Sequence, residues 1–284
     1  MTDLASRGAP HAAPTAAHPK RVRLHPFGLD GAPTLLISLT TGAALIGLWF
    51  LVSWLRLVPP LFLPGPEEVL TQFLAILDDG YAGATLGEHV SASLFRISTA
   101  ALLAASFGIP LGLAMGLNRW VKGVFDTPIE FYWPLPPLAY LPLMIIWLGI
   151  GELSKIVLLT LAMFAPICLS AQAGVRSLPI ERVNAALSLG ATRWQLFLDI
   201  VLPSALPEIL TGLRIGIGVG WSTLVAAELI AATRGIGFMI MSASHFLAAD
   251  VVFVGIGVIA AWAFAFSYGM RLLERALVPW KGKS

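Results

Sequence analysis

The sequence predicts an all-α integral membrane protein with about six transmembrane helices. Two features of composition and one of pattern lead there. Of 284 residues, 57% are hydrophobic and only 12% charged, against a charged share of about 25% in soluble globular chains. The mean hydropathy is +0.82. Apolar runs recur that can cross a hydrocarbon core of about 30 Å, which takes roughly 20 helical residues at about 1.5 Å each. Helices are expected because a segment in lipid must satisfy its own backbone, and the short alternating runs of a strand barrel do not occur in the sequence.

The same figures argue against other classes. A net charge of +2 is too small to attract nucleic acid by itself. The single cysteine, Cys168, cannot form an intrachain disulfide. No His/Cys cluster has metal-ligand spacing, so no metal site is expected. No residues pattern as a nucleophile with its base, so no catalytic residue is assigned.

Taken in order, residues 1–32 are rich in Ala, Pro and His with little apolar periodicity and read as a disordered cytoplasmic tail. The membrane domain is 33–284. Its first span is expected at Thr34–Leu55, an uncleaved anchor too long for a signal-peptide core. An outer loop, Pro59–Gly87, follows, in which Glu67–Leu77 has helical apolar spacing and predicts a short amphipathic helix on the surface. Span two is expected at Ser93–Leu117, and Asn118–Gly123 as a loop. Span three, Phe125–Ile150, contains Pro128, Pro134, Pro136, Pro137 and Pro142. Each proline removes a backbone donor, so this span must be broken. Freed carbonyls at membrane depth need cover, which places Trp133–Pro142 inside the protein and makes Pro136 and Pro137 candidates for a pathway or gate. Spans four, five and six are expected at Ser154–Gly174, Glu208–Ala232 and Val251–Leu272.

Orientation follows from the basic residues. With the N-terminus inside, thirteen of the eighteen Lys and Arg lie on the cytoplasmic side, and only Arg56, Lys155 and Arg234 outside. Both termini are therefore expected in the cytoplasm. Arg96, Glu130, Arg214 and Glu228 lie in or near spans, where an Arg or Asp at the centre costs about 2.5–3.5 kcal/mol on insertion scales. Pathway lining and structural pairing both remain open for Arg96, Arg214 and Glu228; Arg96 and Glu130 are also placed to reach opposite rims. Gly108, Gly112 and Gly116, and again Gly212, Gly216 and Gly220, recur at every fourth position. They suit either close helix packing or a sliding surface.

The inner loop, 175–207, is the most specific feature. Asn184-Ala185-Ala186-Leu187-Ser188-Leu189-Gly190 is followed by nine residues and then Ile200-Val201-Leu202-Pro203. The pattern predicts a helix starting near Pro179 and Glu181 and ended by Gly190, then a second short helix capped by Thr192, then a stop at Pro203. Trp194, Phe197 and Leu198 would be unfavourable in water alone and call for a partner groove.

This spacing resembles the E-A-A, three residues, G, nine residues, I-x-L-P loop of the permeases of ATP-binding-cassette (ABC) importers. Ala185, Ala186, Gly190, Ile200, Leu202 and Pro203 match in register, while Asn184 stands where the family carries Glu. Phe62–Pro66, Ser93–Arg96, Gly108–Gly112, Pro136–Ala139, Trp147–Glu152 and Leu210–Arg214 resemble the nitrate/sulfonate/taurine branch, and Gly220–Gly235 its taurine members. The resemblance covers about residues 35–280. It implies a type I ABC importer permease fold in a bacterial inner membrane. It implies a homodimer, two cytosolic ATPase subunits docked on the inner loops, and a periplasmic or surface-tethered binding protein that delivers taurine or a related alkanesulfonate. The loop residues Asn184, Ala185, Ala186, Gly190, Ala191, Trp194, Ile200, Leu202 and Pro203 would then couple the ATPase to the pathway. ATP and Mg²⁺ would sit on the partner, and no cofactor is expected on this chain, whose sequence has no G-x-x-x-x-G-K-[ST] run.

Overall fold

A computed structural model describes residues 34–279; the expected 1–32 tail lies outside them. Among the described residues the elements are helical apart from one isolated bridge, Tyr81 with Ala84. The helices are α1 (Thr34–Trp54), α2 (Pro66–Asp79), α3 (Leu86–Leu117), α4 (Arg119–Tyr132), α5 (Leu141–Leu148), α6 (Glu152–Arg176), α7 (Ile180–Ser188), α8 (Arg193–Gln195), α9 (Leu202–Ala231), α10 (Ile236–His245) and α11 (Ala249–Leu277). Five are long and apolar enough to cross a membrane, and six spans result if α4 and the segment Pro137–Leu148, bent by 93°, count as one.

The chain divides into two units at Leu48. In the first, the α1 side chains from Leu36 to Leu48 are all exposed. In the second, Trp49 donates from Nε1 to the Pro64 carbonyl at 3.1 Å and stacks on Phe253.

The second unit is built around α6, whose Leu158, Leu159, Met163, Ile167, Cys168 and Ala171 are fully buried. Both glycine stripes face this one helix. A Cβ on Gly112 of α3 would meet the Cys168 carbonyl and come within 2.8 Å of the Ala171 methyl. One on Gly216 of α9 would stand 3.0 Å from Ile167. Between lipid-embedded helices there is little hydrophobic drive, so cohesion comes from close approach, which glycine permits. The stripes are packing surfaces in this structure.

Several boundaries differ from expectation. The second span starts seven residues early, at Leu86, because Thr85 and Glu88 form a capping box. Asn118–Gly123 is not a loop: Asn118 caps α4 at Trp120 and the helix begins at Arg119. Span three is broken as its prolines require. Pro137 and Pro142 occupy first-turn positions where no donor is missed, and Pro134 and Pro136 lie in the break. The segment Trp133–Pro142 is not inside the chain, however, since Trp133, Leu135 and Leu138 are exposed. Sequence shows that freed carbonyls need cover but not which surface supplies it. The helix predicted at Glu67–Leu77 is α2, led by Pro66; it buries Ile76 against Leu86, Met239 and Val251.

Candidate functional sites

At the end of the bundle where α6 begins and α9 ends, Arg96 joins three helices. Its Nε and Nη2 donate to the two oxygens of Glu152 at 2.6 and 2.7 Å, a bidentate fork. Its Nη1 donates to Glu228 at 2.5 Å and to the Arg234 carbonyl at 2.8 Å. Arg96 is 2% exposed and Glu228 1%. Glu228 also accepts from the Ser93 hydroxyl at 2.8 Å and from the Gly237 N–H at 2.9 Å. Ser93 in turn accepts from the Ile236 N–H. Lys155, buried one turn into α6, donates to Glu152 at 3.0 Å. Two cations thus meet two anions, which is the condition for burying charge.

The turn between α9 and α10 closes over this cluster. Gly235 has φ +134°, and a Cβ there would lie 2.5 Å from the Glu228 carboxyl carbon, so a side chain is excluded by both conformation and space. The Gly235 N–H donates to His89 Nδ1, which leaves Nε2 to donate to the Tyr81 carbonyl, so the buried ring ties the turn to the start of α3. The arrangement clamps α3, α6, α9 and the α9–α10 turn. Among the described residues no group of three or more His, Cys, Asp or Glu could hold a metal ion.

At the opposite end lies the loop 175–207. Gly190 has φ +85°. Its N–H donates to the Leu187 carbonyl and that of Ala191 to the Ala186 carbonyl, a Schellman motif that ends α7. The Ala186-to-Gly190 spacing is therefore that of a helix terminus. Thr192 caps the next turn by accepting from the Gln195 N–H, with Gln195 reciprocating. Pro203 does not stop the second helix. Arg193–Ile230 runs on as one helical segment, with a π turn over Leu196–Val201 just before the proline, which places Pro203 in the first turn of α9. Leu189 is 90% exposed and Trp194 68% exposed, two large apolar side chains on a well-capped frame, and Trp194 stacks on Phe197. Asn184 and Ala185 are exposed beside it, while Ala186, Ala191 and Ile200 are half-buried.

The intramembrane charges separate accordingly. Arg96 pairs with Glu228 and Glu152. Arg214 and Glu130 are exposed, and neither has an ion pair among the described residues. Sequence reasoning missed Glu152, Lys155 and Ser93 as members of the cluster. The available signal was charge balance, since a buried arginine demands acids and Glu152 starts a span.

Five or six helices of membrane length, packed around α6 and clamped by a buried charge cluster, define a multi-pass membrane protein. The chain belongs to the family described as binding-protein-dependent transport system inner membrane component, which matches residues 108–279. It is thus a transport subunit and not an enzyme. It is 58% identical over 248 residues to the taurine transport system permease protein TauC of Escherichia coli, covering 87% of this chain and 90% of that one. It is 31% identical over 222 residues to the nitrate import permease protein NrtB of Synechocystis, covering 76% and 81%. The fold matches a chain of the inward-facing MetNI methionine ABC transporter with a TM-score of 0.59 at 17% identity, covering 68% of this chain and 95% of that one. The type I ABC importer fold is therefore the fold of this chain.

Proposed function

We propose that this chain is the permease of an importer that moves taurine, or a related alkanesulfonate, from the periplasm to the cytoplasm. The observation that carries the reading is the 58% identity to TauC over nearly the whole of both chains. Two copies pair in the membrane, and two cytosolic ATPases dock against Leu189 and Trp194. A binding protein delivers solute to the outer face. ATP and Mg²⁺ stay on the ATPases. The distribution of Lys and Arg supports an orientation with both termini in the cytoplasm. Closure of the ATPases draws the two inner loops together, and the rigid frame around Gly190 passes that movement to α9, with which the second loop helix is continuous.

The test is uptake of labelled taurine by cells lacking only this chain, with and without its restoration, and with other sulfonates and nitrate as competitors. Restored ATP-dependent uptake that sulfonates inhibit is the expected result. Restored uptake of another solute alone would overturn the cargo, and no uptake of any solute with the complex assembled would overturn transport.

A further inference from the structure

The outward faces of the long helices are not alike. On α3 and α11 the exposed residues include large apolar side chains through the middle of the helix, such as Leu102, Phe107 and Phe264, as hydrocarbon requires. On α9 the exposed residues include Arg214, Gly218 and Ser222, which follow one another at four-residue spacing and share one face. The Ser222 hydroxyl donates to the Val219 carbonyl, so its lone pairs are left to whatever lies outside.

This face is deep. The glycines flanking Arg214 approach Pro166 and Ile167 of α6. Pro166 is fourteen residues from Glu152 and ten from Arg176, about 21 and 15 Å along the helix. Arg96 spends its charge on two carboxylates, whereas Arg214 meets none among the described residues. A guanidinium at such depth needs water or an anion, not lipid.

We propose that the Arg214–Gly218–Ser222 face of α9 lines the solute path and that Arg214 binds the anionic end of the solute. The deduction rests on the import of a sulfonate proposed above. The guanidinium offers five donors in a planar fork that suits the oxygens of a sulfonate. Gly218 leaves the space beside it open, with nothing within 4 Å of where a Cβ would stand. Ser222 adds a neutral polar group one turn further along. A single cation faced by small residues holds the solute without trapping it.

The test uses cells that lack only this chain, complemented by variants of the full chain. Arg214→Gln is expected to cut labelled-taurine uptake about tenfold or more, the scale of losing a charge-assisted hydrogen bond, and Arg214→Lys to fall between. Membrane levels and ATPase association should match wild type. Ser222→Cys provides a second reading that needs no change at Arg214. In permeabilised membranes it should react with a water-soluble, sulfonate-bearing thiol reagent and lose transport, and millimolar taurine should slow the reaction. The native Cys168 is fully buried and supplies no competing signal. Wild-type uptake by Arg214→Gln, or an inert Ser222→Cys, would overturn the inference. If the wild-type chain restores uptake of some other anion only, the cargo falls while the Arg214 and Ser222 readings still decide the path.

Discussion

Arg96→Met removes the centre of the charge cluster at nearly constant length, and its cost can be worked from the two carboxylates it leaves. Glu152 is 52% exposed on its side chain and keeps Lys155 at 3.0 Å. It can hydrate, so its loss is near that of a surface pair, about 0–1 kcal/mol. Glu228 is 1% exposed and would retain only Ser93 and the Gly237 N–H. An uncompensated buried charge costs about 3–5 kcal/mol. The sum is dominated by Glu228, and Arg96→Met should destabilise the chain by roughly 3–5 kcal/mol. Glu152→Gln leaves the buried Lys155 without its carboxylate and should cost about 3 kcal/mol. Combining Arg96→Met with Glu228→Gln should cost less than the sum of the two single changes by about 1 kcal/mol or more, because the double variant buries no unpaired charge. The assay is titration with a denaturing detergent from mild micelles, followed by the fluorescence of the nine tryptophans. An Arg96→Met variant within about 1 kcal/mol of wild type, or strict additivity in the cycle, would refute the view that Arg96 neutralises Glu228.

Three further outcomes follow from named contacts. Gly112→Val places a branched side chain against the Cys168 carbonyl and Ala171 and should lower stability by about 1–3 kcal/mol, whereas Gly123→Ala, with open space around it, should be neutral or slightly stabilising in the same detergent titration. Gly190→Arg should abolish uptake while membrane insertion proceeds, since φ +85° strains any side chain there by about 1–2 kcal/mol and the loop frame depends on it; uptake at the wild-type rate would refute the coupling role. Deletion of residues 2–30 should leave uptake intact, and its loss in the same cells would show that the tail contributes to transport.

Much of this protein is local and therefore legible. The membrane class follows from composition, and the helices from the length of the apolar runs. The end of α7 follows from the Gly190 position, because a Schellman motif is a property of six consecutive residues. Thr192 and Gln195 are legible in the same way. Local reading fails where two elements merge or share. Pro203 looks like a stop because proline breaks a regular α-helix, and only the π turn before it shows how the helix continues. Trp133–Pro142 needs cover by its chemistry, yet the chain leaves Trp133 and Leu135 exposed.

The sequence by itself determined that four ionisable groups had to be accommodated near or within spans and that two glycine faces had to meet something at close range. Only the tertiary structure decided the partners. Arg96 reaches Glu228 across 132 positions of sequence and Glu152 across 56, and both glycine faces press on α6. Periodicity along a helix says which residues share a face, because that is set by the 3.6-residue turn. Which face meets which depends on how helices are placed and rotated against one another, and no local pattern encodes that. The same geometry separates the two arginines: it neutralises Arg96 inside the bundle and leaves Arg214 facing out of it.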